Sequence, residues 1–121
     1  MFKVFAFLKK KKELSSEEFM NYYENHHVPL ILSLTHTPLV YKRNYLKHGD
    51  PFNLASDKIG FDVVTEQIYS SREDLQAWLA NLSKPEVGEK VRADEARFLD
   101  HSNYFAYVVD ERVTSRSYPA E

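Results

Sequence analysis

No cysteine occurs among the 121 residues of this chain, which excludes a disulfide framework, a thiol nucleophile and a thiolate metal site. Glycine is nearly as scarce. Gly49, Gly60 and Gly88 stand far apart, so no glycine-rich loop can cradle a phosphate, and the common nucleotide-dependent enzymes are set aside. Positive charge is not in excess: the formal net charge is −2, which leaves no basic footprint for a nucleic acid. Long apolar runs are missing too. The stretch from Met1 to Leu8 is short and its lysines follow rather than precede it, so neither a signal peptide nor a membrane span is expected and the cytoplasm is the expected location. With no histidine pair at chelating spacing and no glycine loop, little remains to hold a metal, a flavin or a nicotinamide; no cofactor is expected.

What the chain has is aromatic surface. Eight Phe, eight Tyr and one Trp make 14% of the residues, a surplus that suits either a dimer interface or a pocket for a flat ligand. The length allows one domain with a real core and is too short for two. Residues 1–110 are read as that domain, and 111–121 as a polar tail without periodicity.

The most informative stretch runs from Leu14 to Ile31. Ser15 reads as a helix N-cap with Glu18 reaching back to it, and Leu14 and Phe19 sit at the two ends of a hydrophobic staple. At 100° per residue Phe19, Tyr23, Leu30 and Leu34 share one narrow face, flanked on opposite sides by His26 and His27. Pro29 cannot donate to the Asn25 carbonyl, so the helix over about residues 16–34 is expected to bend or stop there. Elsewhere, apolar or alternating patterns predict strands at Phe2–Leu8, Leu39–Lys47, Ile59–Tyr69 and Tyr104–Val109. The segment His48–Lys58 reads as a loop. Ser70 or Ser71 caps a helix carrying Leu75, Trp78, Leu79 and Leu82, and Ser83–Glu86 starts another carrying Val87, Val91 and Phe98. The order is β-α-β-β-α-β, an α+β ferredoxin-like pattern. Its first and last strands are apolar on both faces while helices cover only one, so a second copy of the sheet is expected to cover the other and make a two-fold homodimer.

Phe7-Leu8-Lys9, Leu-Ser-Ser-Glu-Glu-Phe at 14–19, Tyr-Tyr-Glu-Asn-His-His-Val-Pro-Leu at 22–30, Phe61 to Glu66 and Asp-Glu-Ala-Arg-Phe-Leu-Asp at 94–100 resemble the EthD family of dimeric α+β barrels. The resemblance spans roughly residues 2–110; one departure is Lys12-Glu13, which stands where the family usually has Pro-Gly. It implies a homodimer acting on a small molecule. Members and relatives include decarboxylases, dehydratases and cyclases of polyketide pathways, a lactone isomerase, proteins of ether-degradation operons and, in related barrels, cofactor-free monooxygenases. It also implies that His27, matching the family's His-x-Pro, is the chemically important histidine, and that Asp62 matches the family pattern in the third strand.

The residues themselves carry paired readings. His27 is either a half-buried histidine bonded to a carbonyl that Pro29 frees, or a general acid/base titrating near neutrality. His26 lies on the helix edge; adjacent helical positions diverge by about 100°, so the two histidines cannot readily chelate one ion. Asp62 and Glu66 share a face of the third strand, where Asp62 is the candidate orienter or proton carrier and Glu66 a surface or interface charge. Tyr23, Tyr41 and Tyr45 are packing residues or phenols that hold a developing oxyanion, and Arg43 between the latter two is a solvated charge or an anion ligand. Trp78 and Phe98 are core or pocket wall. His48 belongs to a loop that could act as a lid, His101 to the surface or the pocket mouth, and His36 to the surface. The functional expectation is cofactor-independent acid/base catalysis on an enolisable polyketide-like or aromatic molecule, with His27 and Asp62 catalytic. The alternatives are a cofactor-free monooxygenase, an accessory protein of an oxidative pathway, and a non-catalytic ligand-binding dimer.

Overall fold

Four short runs of alternating or apolar residues assemble into one antiparallel sheet, seen in a computed structural model that describes residues 1–54 and 59–116. The strands are β1 (Phe2–Leu8), β2 (Pro38–Tyr45), β3 (Val63–Tyr69) and β4 (Phe105–Val109), in the spatial order β2-β3-β1-β4. This is the ferredoxin-like arrangement, with β3 internal as expected. The predicted third strand begins later than Ile59. The expected tail and the 48–58 loop extend in part beyond the described residues; within them, residues 111–116 form no regular structure.

Register decides which face each side chain takes. Val4 lies opposite Gln67 and Val108, Ala6 opposite Thr65 and Ala106, and Leu8 opposite Val63; these face the helices. Their neighbours Lys3, Phe5 and Phe7 point the other way, beside Ile68, Glu66 and Val64 on one flank and Val109, Tyr107 and Phe105 on the other. Among the described residues no helix covers that outer face, where Phe5, Phe7, Phe61, Phe105 and Tyr107 form an aromatic row. Glu66 pairs there with Lys3 at 3.4 Å, and Lys3 also binds Glu111 at the start of the tail. Among the described residues no helix is long and apolar enough to cross a membrane.

The first helical segment begins as expected. Glu18 N–H donates to Ser15 Oγ at 3.0 Å and Ser15 N–H to Glu18 Oε1 at 2.9 Å, a complete capping box on α1 (Ser16–Tyr22). It then departs from expectation. Instead of a bend at Pro29, a π-helical turn (Tyr23–His27) precedes it and α2 (Val28–Leu34) follows, with Val28 N–H reaching back five residues to the Tyr23 carbonyl. The wide turn absorbs the misfit imposed by a residue that cannot donate. It also shifts the helical phase by one residue. His27 and Val28 are therefore both buried, Ile31 takes the place expected of Leu30, and His26 is turned outward, stacked on Tyr22 at 4.7 Å between ring centres.

Helices α3 (Arg72–Leu82) and α4 (Pro85–Glu95) pack on the same side of the sheet. Ser71 caps α3, accepting from Asp74 N–H, and Pro85 sits in the first turn of α4. The latter helix ends at Glu95, before Phe98; a tight turn then carries Phe98 and Leu99 into the core. The two helices approach closely at Gly88, where a Cβ would lie 2.2 Å from the Leu82 carbonyl oxygen. Two apolar clusters result. One gathers Phe19, Tyr23, Val63 and Phe98; the other gathers Val4, Ile31, Tyr69, Trp78 and Val91.

Candidate functional site

Between those two clusters, under the helices, lies a cavity of about 140 Å³. Its wall is apolar at one end, with Trp78, Leu75, Leu82, Val91 and Ile31, and polar at the other, with His27, Tyr23, Tyr41, Thr65, Glu95 and Tyr104. This volume is close to the roughly 150 Å³ that holds a benzene in an engineered apolar cavity. The space matches a single ring.

His27 is placed by the π turn and is only 4% exposed. Its Nδ1 lies 2.8 Å from Asp94 Oδ2 on α4, and the other oxygen of Asp94 accepts from the Tyr22 hydroxyl at 2.5 Å. A carboxylate in that position calls for the proton on Nδ1 and leaves Nε2, which has no hydrogen-bond partner among the described residues, with its lone pair. Burial against Phe98 and Tyr23, with ring centres 4.8 and 5.6 Å away, lowers the pKa of the imidazole below the ordinary 6.5, partly opposed by Asp94. The neutral, basic form is therefore favoured near neutrality. That is the form a general base needs.

A chain of hydroxyls lies beside it. Tyr23 OH is 2.8 Å from Thr65 Oγ1 and 3.0 Å from Tyr41 OH. Burial pushes the Tyr23 phenol up to about 12 and raises Tyr41 well above its usual range, so both stay protonated and can donate to an oxygen that gains charge. Tyr45 is occupied elsewhere: its hydroxyl donates to Glu24 Oε2 at 2.6 Å, and Arg43 holds both oxygens of Glu24 at 2.9 and 2.7 Å. Arg43 is thus neutralised on the helix flank.

Asp62, the expected orienter or proton carrier, has its hydrogen-bond partners elsewhere than at His27. It precedes β3, is buried, and accepts from the Lys10 backbone N–H at 2.9 Å while facing His48 Nε2 at 3.1 Å. That pair ties the loop after β2 to the end of β1, apart from the cavity. Trp78, Tyr23 and Tyr41 line the cavity, whereas Phe98 backs His27 from behind and His101 meets the cavity-lining Glu95 at 3.4 Å. The carboxylate that does orient His27 is Asp94, and neither it nor Glu95 follows from helical or strand periodicity. One signal is present in the sequence: two carboxylates close a helix, where the dipole disfavours negative charge, so each needs a local partner. Among the described residues no three or more His, Asp or Glu side chains are grouped to hold a metal ion.

Comparison with known proteins places the fold. The family model described as the EthD domain matches residues 11–102. Among solved structures, an EthD family protein from Bacillus halodurans C-125 shares 19% identity, with 93% of this chain and 100% of that one covered at a TM-score of 0.63. HapK from Hahella chejuensis shares 9% identity over 98% of this chain and 100% of its own, at 0.60. An antibiotic-biosynthesis-monooxygenase-like protein from Nitrosomonas europaea shares 14% over 92% and 98%, at 0.55. At these identities the likeness establishes the fold. No curated protein matches the chain by sequence.

Proposed function

This chain belongs to the EthD-domain family, and on that premise we propose that its cavity performs cofactor-independent acid/base chemistry on a small enolisable molecule, of the decarboxylase, dehydratase or cyclase type. The single observation that carries the reading is the His27 imidazole, buried, held through Nδ1 by Asp94, and facing a cavity that also presents tyrosine hydroxyls. In this reading Nε2 removes a proton from a carbon next to a carbonyl, and Tyr41 with Tyr23 stabilises the oxygen of the enolate. Decarboxylation, dehydration and aldol-type cyclisation all pass through such an enolate. The apolar end, led by Trp78, would hold the carbon skeleton, and the volume supports a reacting portion no larger than one ring.

The test is a panel of monocyclic β-keto acids and β-hydroxy ketones followed by proton NMR in the presence of EDTA, with dissolved oxygen monitored in parallel. Turnover without oxygen uptake, lost in His27→Ala, is the expected result. Equal turnover in His27→Ala would remove the histidine from the chemistry, and stoichiometric oxygen consumption would move the protein to the oxygenases.

We further infer that a second copy covers the outer face of the sheet. The support is the aromatic row, in which Phe105 and Tyr107 are 45% and 61% exposed in the single chain, an apolar patch of a kind monomers seldom show to water. Sedimentation as a monomer at micromolar concentration would reject this.

A further inference from the structure

Of the two carboxylates that close α4, Asp94 is accounted for by His27 and Tyr22; Glu95 is not. Its side chain is 13% exposed and forms part of the cavity wall. Its one hydrogen-bond partner among the described residues is His101, whose Nε2 lies 3.4 Å from Oε1. His101 is itself half-exposed, at 47%, on the turn that leads into β4. The two side chains therefore form a line from solvent, through an imidazole, to a carboxyl on the cavity wall. Around Glu95 stand Tyr23 from the π turn, Tyr104 from β4, His101 from the turn, and Asp94 and Arg92 from its own helix. Burial raises its pKa above the ordinary 4.5, reinforced by Asp94 and opposed by His101 and Arg92. An ion pair serving only to pin the turn would gain little at this exposure, and it would not call for a carboxyl in a cavity wall.

We propose that Glu95 is the second proton-carrying group of the cavity, working with His27, and that His101 connects it to solvent. The proposal rests on the acid/base reading above and adds to it the source of the second proton. In the step it describes, His27 Nε2 takes a proton from the carbon next to a ketone. The C–H electron pair becomes the new C=C bond, and the carbonyl π pair moves onto oxygen, which takes the proton from the Glu95 carboxylic acid. The product is the enol, an isomer of the ketone. Glu95 then regains a proton from solvent by way of the His101 ring, and His27 releases its own to solvent, so the two transfers cancel. Oxidant, reductant and metal have no part in that balance.

Cyclohexanone, a one-ring enolisable ketone, is a suitable probe, because its α-hydrogens exchange with deuterium in D₂O only as fast as it enolises. The intact protein should accelerate this exchange saturably, followed by proton NMR. His27→Ala should abolish the acceleration, and Glu95→Gln should reduce it about a hundredfold, in the range of general acid contributions. His101→Ala should slow exchange in a weak buffer and recover on adding imidazole, a rescue that a merely structural role would not give. The Glu95 carboxyl carbon should titrate above 4.5 and move higher in His101→Ala, because His101 opposes the upward shift. Full exchange in Glu95→Gln with none in His27→Ala would overturn this proposal and leave the acid/base reading standing. No acceleration by the unaltered protein would overturn both. Wild-type exchange in His101→Ala without imidazole would remove the relay.

Discussion

Replacing Asp94 by asparagine separates charge from geometry at the centre of the site. The carboxylate accepts two hydrogen bonds, from His27 Nδ1 at 2.8 Å and from Tyr22 OH at 2.5 Å, with only 16% of its side chain exposed. An amide of the same shape can still accept from Nδ1–H through its oxygen and donate to the Tyr22 oxygen through its nitrogen, so the imidazole tautomer is retained. What disappears is the charge. Hydrogen bonds to charged groups contribute about 1.5–3 kcal/mol and neutral ones about 0.5–1.5 kcal/mol, a difference of about 1 kcal/mol for each of two bonds. The easier desolvation of an amide returns part of this, leaving a loss of about 1–2 kcal/mol. At roughly 4 °C per kcal/mol for a domain of this size, the melting temperature should fall by about 4–8 °C. The imidazole should respond as well. Asp94 is the group that opposes desolvation at His27, so without its charge the His27 pKa should move further below 6.5. Thermal melting, together with proton NMR titration of the His27 ring, reads both effects. An unchanged melting temperature with an unchanged His27 titration would refute the pairing on which the site is built.

Three further outcomes follow from the same geometry. Because burial places the His27 pKa below its unfolded value of 6.5, the unfolded chain binds more protons between the two values, so this residue's contribution to stability is complete above about pH 6.5 and is lost as pH falls through the folded value; Glu95, shifted upward, contributes with the opposite sign. A His27→Gln variant whose melting temperature follows pH as the wild type does, over about pH 5 to 7, would contradict the assignment. Tyr23→Phe removes a hydroxyl bonded to both Tyr41 and Thr65 in a region only 1–2% exposed, and should lower stability by about 1–3 kcal/mol by urea denaturation; a neutral effect would mean that the hydroxyl chain is not formed. Gly88→Ala sets about 1 kcal/mol of improved helix propensity against a contact of 2.2 Å with the Leu82 backbone oxygen, which flexible side-chain motion cannot relieve. Net destabilisation by about 1–2 kcal/mol is expected, and a stabilised variant would show that α3 and α4 are not so close.

Much of the frame was legible residue by residue, and the reasons are local. Ser15 with Glu18 announces a capping box within four residues, Ser71 and Pro85 mark helix starts, and the short apolar run of Phe2–Leu8 needs no partner to be read as a strand. His27 was legible as a candidate because it stands beside Pro29. Its partner was not. Asp94 is 67 residues away, and nothing in helical or strand periodicity joins the two. Asp62 is legible as a carboxylate near an internal strand that needs a partner, and its partners are His48 and the Lys10 amide rather than His27. The phase of α2 was also hidden, because a uniform 100° per residue cannot anticipate a π turn; Leu30 and Ile31 exchange roles on that account.

That π turn has a bearing on how the protein can change over evolutionary time. It is a packing dislocation: Phe19 and Tyr23 before it and Val28 just after it join one apolar cluster, Ile31 one turn on joins the other, and the cavity is lined from both. Deleting a single residue between Tyr23 and His27 would restore an ordinary helix, with better hydrogen bonding, and would return the two halves to a common phase. The two clusters could then close upon each other. Selection for stability alone would favour healing such a fault, so the resilience of the fold is tied to the upkeep of the void. Stabilising substitutions in descendants or in engineered variants should accordingly gather away from this segment, in the sheet and on the solvent faces of α3 and α4, where rigidity can rise without filling the cavity.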